Sequence, residues 1–152
     1  MTDDVPAFTR PAAFAATELM LDLFHTTTSY FQLDLEAIWI IAVIGHETMR
    51  PWILDPTTAP QHLTDQRVPD RVRGSISRVM VADRTGLPRE TVRRRIAELE
   101  KKGLIALDER GHVRLQGESV VDPAYQKSVV EIYRAVERYQ KRIAAFGVKP
   151  GE

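Results

Sequence analysis

Arg89, Glu90, Arg93 and Arg94 fall within one stretch, GLPRETVRRRIAELEKKGLI, and their chemistry is recognition rather than bond breaking. A guanidinium fork donates to two acceptors on a guanine edge, and a carboxylate accepts from the amino group of cytosine. At 100° per residue, Val92, Ile96 and Leu99 recur at i, i+4 and i+7 as a single apolar stripe. Glu90, Arg94 and Lys101 lie opposite that stripe, with Arg89 and Arg93 on its flank. A helix seated by one face and offering arginines from its first turns suits a DNA major groove. Base contacts are therefore expected from Arg89, Glu90, Arg93 and Arg94. For Arg94 the alternatives are a backbone contact or an ion pair with Glu90 one turn before it.

Other residues suit the sugar-phosphate backbone, which positions a protein without reading sequence. Arg78 and Arg84 are expected to track phosphates. Thr91 and Ser77 can each donate to one, or serve as a neutral side chain and a helix cap. Arg95 falls near the Leu99 edge and is expected to pack or to meet a phosphate. Arg110 and Arg114 can reach phosphates or the minor groove from a hairpin that follows.

Those side chains need a frame, and the surrounding residues spell one. Ser77 caps a short helix over 78–85. Gly86 allows a sharp turn, and Pro88 suits the first helical position of a recognition helix spanning 88–102. Gly103 ends that helix. Residues 104–107 and 112–116 are strand-like around Asp108-Glu109-Arg110-Gly111, a hairpin with Gly111 able to take a positive φ. This hairpin, 104–116, is the expected wing.

The stretch is similar to the helix-turn-helix of the Crp/Fnr regulators, in its Arg-Glu-Thr-Val, its later Leu-Glu and its closing Leu-Ile. Winged-helix bacterial regulators more widely, including the MarR and GntR groups, share the looser pattern. The resemblance implies that Arg89, Glu90 and Arg94 read base edges. It covers about thirty residues, or roughly forty with the wing. Pro88 stands where a small hydroxyl residue is common, which removes a possible phosphate contact. The residues preceding the stretch look helical, unlike a glycine-punctuated β-roll, so regulation by a cyclic nucleotide is not carried over.

The expected fold is mainly α with a small β-hairpin wing: a winged helix-turn-helix over 33–116, flanked by N- and C-terminal helices. Residues 1–10 read as a polar tail. An N-terminal helix within 11–31, from about Pro11 to Thr27, carries Phe14, Leu21 and Phe24 on a face widened by Ala13, Met20 and Leu23. A second helix from about Asp34 to Met49 is apolar nearly all round, which predicts a central, buried position, with Asp34 as cap and Pro51 as terminator. Residues 51–73 read as a long loop, and Gly74–Ile76 as a short strand. A last helix over 122–146, opened by Asp122-Pro123, has a stripe of Val129, Ile132, Val136, Ile143 and Phe146, with Tyr133 and Tyr139 at its margin. The two flanking helices are expected to dimerise, as in the layout of MarR-like proteins; covering the chain's own core is the alternative.

Composition excludes several functions. There is no cysteine among the 152 residues, hence no disulfide or thiolate chemistry. His25, His46, His62 and His112 are scattered without ligand spacing, and His46-Glu47 lacks the second histidine of a zincin helix. No phosphate loop or nucleophile elbow is present, so neither enzyme activity, nor a metal, nor a cofactor is expected. The N-terminus lacks a signal peptide's regions, and the apolar run 37–44 is too short for a bilayer. A cytoplasmic location follows. Net charge is zero, but unevenly spread. Residues 1–70 hold three basic and ten acidic side chains, 71–116 twelve and six, and 117–152 six and five. The positive charge concentrates where a DNA contact is expected. Trp39, Trp52, Phe24 and Tyr30 can line an effector pocket or serve as ordinary core, the reading favoured for them. The partners expected are double-stranded DNA and a second copy, with no effector identified. The function expected is a sequence-specific bacterial transcriptional regulator acting as a homodimer on a palindromic site. The alternative is a winged helix used only for protein interaction or dimerisation.

Overall fold

The computed structural model describes residues 6–64, 68–117 and 122–149. It is mainly helical with one small antiparallel hairpin. In chain order come α1 (Thr9–Phe31), α2 (Leu35–Ile53), two 3-10 turns (Pro60–Thr64 and Asp70–Val72), α3 (Arg78–Thr85) and α4 (Arg89–Lys101). β1 (Ile105–Leu107), β2 (Val113–Leu115) and α5 (Pro123–Ala145) follow. The chain divides into two compact units, one of residues Leu33–Tyr125, the other of the flanking stretches up to Gln32 and from Gln126.

The Leu33–Tyr125 unit is built on α2, which packs against α3, α4 and β2. Its core holds Ile40 and Ile44 of α2, Val81 of α3, Val92, Ile96 and Leu99 of α4, and Val113 of β2, all essentially inaccessible. Burying one such side chain stabilises by about 1.5–3 kcal/mol. The expected stripe of α4 is thus buried in this core. α2 is less enclosed than its composition predicts. Ala37, Ile38, Ile40, Ile44 and Thr48 are buried, whereas Leu35 and Trp39 are exposed, Trp39 at 50%. The hydrophobic residues around α2 do not all face one core.

Asp34 caps α2 as expected, its carboxylate accepting from the Ala37 N–H at 2.9 Å. Pro51 does not end the helix, which runs on to Ile53. Proline removes one helical donor, here the partner of the Glu47 carbonyl. Gly74 lies so close to that carbonyl that a β-carbon would collide with it, and the Gly74 N–H donates to the Thr48 carbonyl at 2.8 Å. The expected strand over Gly74–Ile76 shrinks to a single bridge, in which Ile76 and Val113 exchange hydrogen bonds of 2.9 and 2.8 Å. The expected long loop over 51–73 also needs correction. It begins inside α2, contains both 3-10 turns, and buries Val68; residues 65–67 lie outside the described residues.

The wing follows its sequence signals closely. β1 and β2 pair with Ile105 opposite Leu115 and Leu107 opposite Val113. Gly111 has φ of 75° and donates to the Asp108 carbonyl at 2.9 Å. Buried Thr48 fastens the wing to α2: its hydroxyl donates to Ile44 O at 2.8 Å and accepts from Leu115 N at 3.1 Å.

In the second unit α1 and α5 run antiparallel. Phe14 meets Phe146 edge to face with centroids 6.3 Å apart. Glu18 accepts from Arg142 at 2.8 and 3.1 Å, and Asp22 from Arg138 at 3.0 and 3.2 Å. Each step forward of four residues on α1 is a step back of four on α5. Asp122 caps α5 as expected, accepting from Ala124 N at 2.8 Å, with Pro123 first in the helix. α1 begins at Thr9 and ends at Phe31, so the expected tail over 1–10 is too long by at least Thr9 and Arg10; residues 1–5 of that tail lie outside the described residues. Within the chain α5 buries Ser128 and Ala135, leaving Val129 and Val136 of the expected stripe, and Tyr133 at its margin, exposed.

Candidate nucleic-acid interface

α3, the turn at Gly86 and α4 form a helix-turn-helix. Ser77 caps α3 by accepting from Met80 N at 3.2 Å. Gly86 takes φ of 70°, and its N–H donates to Ala82 O at 2.9 Å. Pro88 sits one place earlier than expected, flanking α4 in an extended conformation, its carbonyl accepting from Val92 N at 3.0 Å. At the far end Gly103 has φ of 74°, with Gly103 N donating to Glu100 O and Leu104 N to Leu99 O. This is the six-to-one closure that satisfies orphan helix carbonyls.

Of the four expected base readers, Arg89 and Arg94 are exposed, with no hydrogen-bond or ion-pair partner among the described residues. Glu90 pairs with Arg93 rather than with Arg94, through hydrogen bonds of 2.9 and 2.6 Å. The i+3 partner wins because its fork meets both carboxylate oxygens, a geometry that fixes direction as well as charge. That contact from Arg93 holds the Glu90 carboxyl below its ordinary range and raises Arg93 in turn. Both side chains remain mostly exposed.

The expected phosphate contacts divide more sharply. Arg78 is exposed and unpaired among the described residues, and Thr91 is half-buried. Arg95 is already engaged: it donates to Glu36 at 2.7 Å, Asp34 at 2.8 Å and Glu98 at 3.2 Å. The hydrogen bond to Glu36 leads the causes that raise its pKa far above the ordinary value. In the free protein Arg95 therefore braces α4 against the start of α2. Arg84 is likewise bound to Glu47 of α2. Burial would raise the Glu47 carboxyl, but hydrogen bonds from Arg84 and His46 outweigh it and leave the group below its usual value. Arg114 lies 3.5 Å from Asp70, partly buried rather than free on the strand. Arg110 at the wing tip is 73% exposed, 3.7 Å from Asp108.

Three residues that organise this surface went unnoticed in the sequence. Asp108 takes the Ser75 hydroxyl at 2.7 Å on one oxygen and the N–H groups of Arg110 and His112, each at 2.9 Å, on the other. The Ser75 bond leads in pulling its carboxyl below the ordinary range. Arg73, with its side chain 3% exposed, donates to Asp70 at 2.9 Å and to the Leu115 carbonyl. Thr48 holds β2 from the other side. The spacing of an Asx-type turn, Asp108 before Gly111, was the one local signal available.

Residues 73–106 match the family model described as winged helix-turn-helix DNA-binding. The match runs from Arg73 through α3 and α4 into β1. No curated protein and no solved structure matches the chain. The class is thus that of a winged helix-turn-helix DNA-binding domain at 73–106, carried between two flanking helices. No single described helix is long and apolar enough to cross a membrane.

Proposed function

We propose that this protein is a sequence-specific, DNA-binding transcriptional regulator that acts as a homodimer on a palindromic site. The observation that carries the reading is the pair of uncommitted guanidiniums, Arg89 and Arg94, on the exposed side of a helix held by its own buried stripe. These two arginines face no carboxylate, whereas Arg93 and Arg95 of the same helix are paired, so they are donors in need of acceptors. α4 enters the major groove, where Arg89 and Arg94 read guanine edges. Arg93 steadies the Glu90 carboxylate to accept from a cytosine amino group. Arg78, Ser77 and Thr91 meet phosphates beside the groove, and Arg110 does so from the wing. Arg84, Arg95 and Arg114 serve the interface by bracing it, each already facing a carboxylate.

Selection from random duplex DNA tests the reading, with sedimentation of the free protein alongside. An inverted repeat should be enriched by a dimer, with half-sites about 34–36 Å apart. Arg94→Ala should lose about 1–3 kcal/mol of preference for the selected site. If Arg94→Ala instead weakened selected and scrambled duplexes equally, direct readout by that residue would be wrong.

Exposed Phe14, Met20, Leu21 and Phe24 on α1 favour a second reading as well, a winged helix used only to hold a partner protein. Failure to enrich any sequence, with binding lost at physiological salt, would favour it.

A further inference from the structure

The last turns of α2, the segment before α3, the first turn of α3 and the wing turn enclose a cleft of about 370 Å³. Arg50, Arg84, Ser77 and His112 line it, with Glu47 and Met80. Two guanidiniums thus face one carboxylate. Glu47 already receives Arg84 and, at 3.3 Å, His46. Arg50 acts on Glu47 only through space and has no hydrogen-bond or ion-pair partner among the described residues.

The remaining donors converge on the same space. The Ser77 oxygen accepts the Met80 N–H, leaving its own proton to donate. A neutral His112 ring keeps one N–H in either tautomer. The cleft's framework is fixed, because Ser75 is tied to Asp108 and Ile76 to Val113. Three free donors and a net positive charge in a prearranged cleft are the requirements of a bound oxyanion.

We propose that this cleft seats a phosphate group, with Arg50 supplying the charge and Ser77 and His112 the flanking hydrogen bonds. Arg84 is a positioning residue, held by Glu47. The phosphate has two possible sources with the same chemistry: the duplex backbone, which rests on the DNA-binding reading above, or a free oxyanion. In the first case the contact lies outside the recognition helix and carries no sequence information.

The test uses the full chain and its Arg50→Gln and Arg50→Lys variants, since Arg50 is exposed and its side chain holds nothing in place. Affinity for a selected and a scrambled duplex is measured across salt concentrations. Inorganic phosphate is titrated separately while the His112 ring signals are followed by NMR. For a backbone phosphate, Arg50→Gln weakens both duplexes by the same factor. It also lowers the slope of log affinity against log salt by about 0.9, and Arg50→Lys restores it. For a free oxyanion, that slope is unchanged, and millimolar phosphate shifts the His112 signals in the parent chain but not in Arg50→Gln. If the slope holds and phosphate moves nothing, the proposal is overturned. If the parent chain binds no duplex at all, the DNA-binding reading fails, and the phosphate titration alone still decides the cleft.

Discussion

Asp34, Glu47 and Asp108 each hold together two segments distant in sequence or turn backbone that would otherwise be open. Asp34 is lowered first by the Ala37 N–H that it caps and then by Arg95; Asp108 is lowered first by Ser75. Glu47 is lowered because Arg84 and His46 outweigh its burial. A carboxyl depressed in the folded state contributes stability that is complete above its unfolded pKa and is lost as pH falls through its folded one. Thermal melts should therefore hold steady near neutrality and decline as the solution is acidified through and below the ordinary carboxylate range. Asp108→Asn should flatten part of that decline; an unchanged profile would remove Asp108 from the account. Thr48 supplies a sharper case. Replacing it by Val keeps the shape but leaves the buried Leu115 N–H without its acceptor, at a cost of about 1–3 kcal/mol in chemical denaturation.

The elements were legible wherever a turn or cap is chosen by the residue beside it. Gly86, Gly103 and Gly111 all take the positive φ that their positions require, and Ser77, Asp34 and Asp122 all cap. The Val92–Ile96–Leu99 stripe also reads directly, because helical period needs no distant partner. What the sequence hid is long-range. Arg95 finds Glu36 and Asp34 from 59 and 61 residues away, and Thr48 finds Leu115 from 67. Helical spacing sets Arg95 at the Leu99 edge, apart from Arg94, but no local spacing names the carboxylates that it meets. The end of α2 was hidden for a related reason: the helix runs on past Pro51, and Gly74, far along the chain, packs closely against the Glu47 carbonyl that the proline leaves without its helical donor. Gly74→Ala should thus cost about 1–3 kcal/mol by overpacking. Loss of stability without change in the wing's strand pairing, followed by hydrogen exchange, is the expected signature. No loss at all would mean that the close approach is easily relieved.

At the scale of the whole molecule, α1 carries an exposed apolar face. Phe14, Leu21 and Phe24 stay exposed, Leu21 at 58%. The Thr17, Thr27 and Thr28 hydroxyls donate to Ala13, Leu23 and Phe24 carbonyls of the same helix, at 2.9, 2.7 and 2.7 Å. Those hydroxyls can be buried without stranding a donor, so this face can enter a dry interface at little polar cost. On the proposed homodimer, Phe24→Lys should shift the sedimenting species toward monomer and reduce affinity for a selected inverted repeat more than for a single half-site. A variant that remained dimeric would remove Phe24 from the subunit contact. The antiparallel pairing of Glu18 with Arg142 and Asp22 with Arg138 also sets an order of events. During synthesis α1 emerges first, but its partner α5 appears only after the whole of Leu33–Tyr125. The winged helix can fold as soon as it clears the ribosome, whereas the helical pair must wait and then close a loop as long as that domain. Until then the nascent chain carries α1 without its ion pairs, and that interval is when a chaperone would find it.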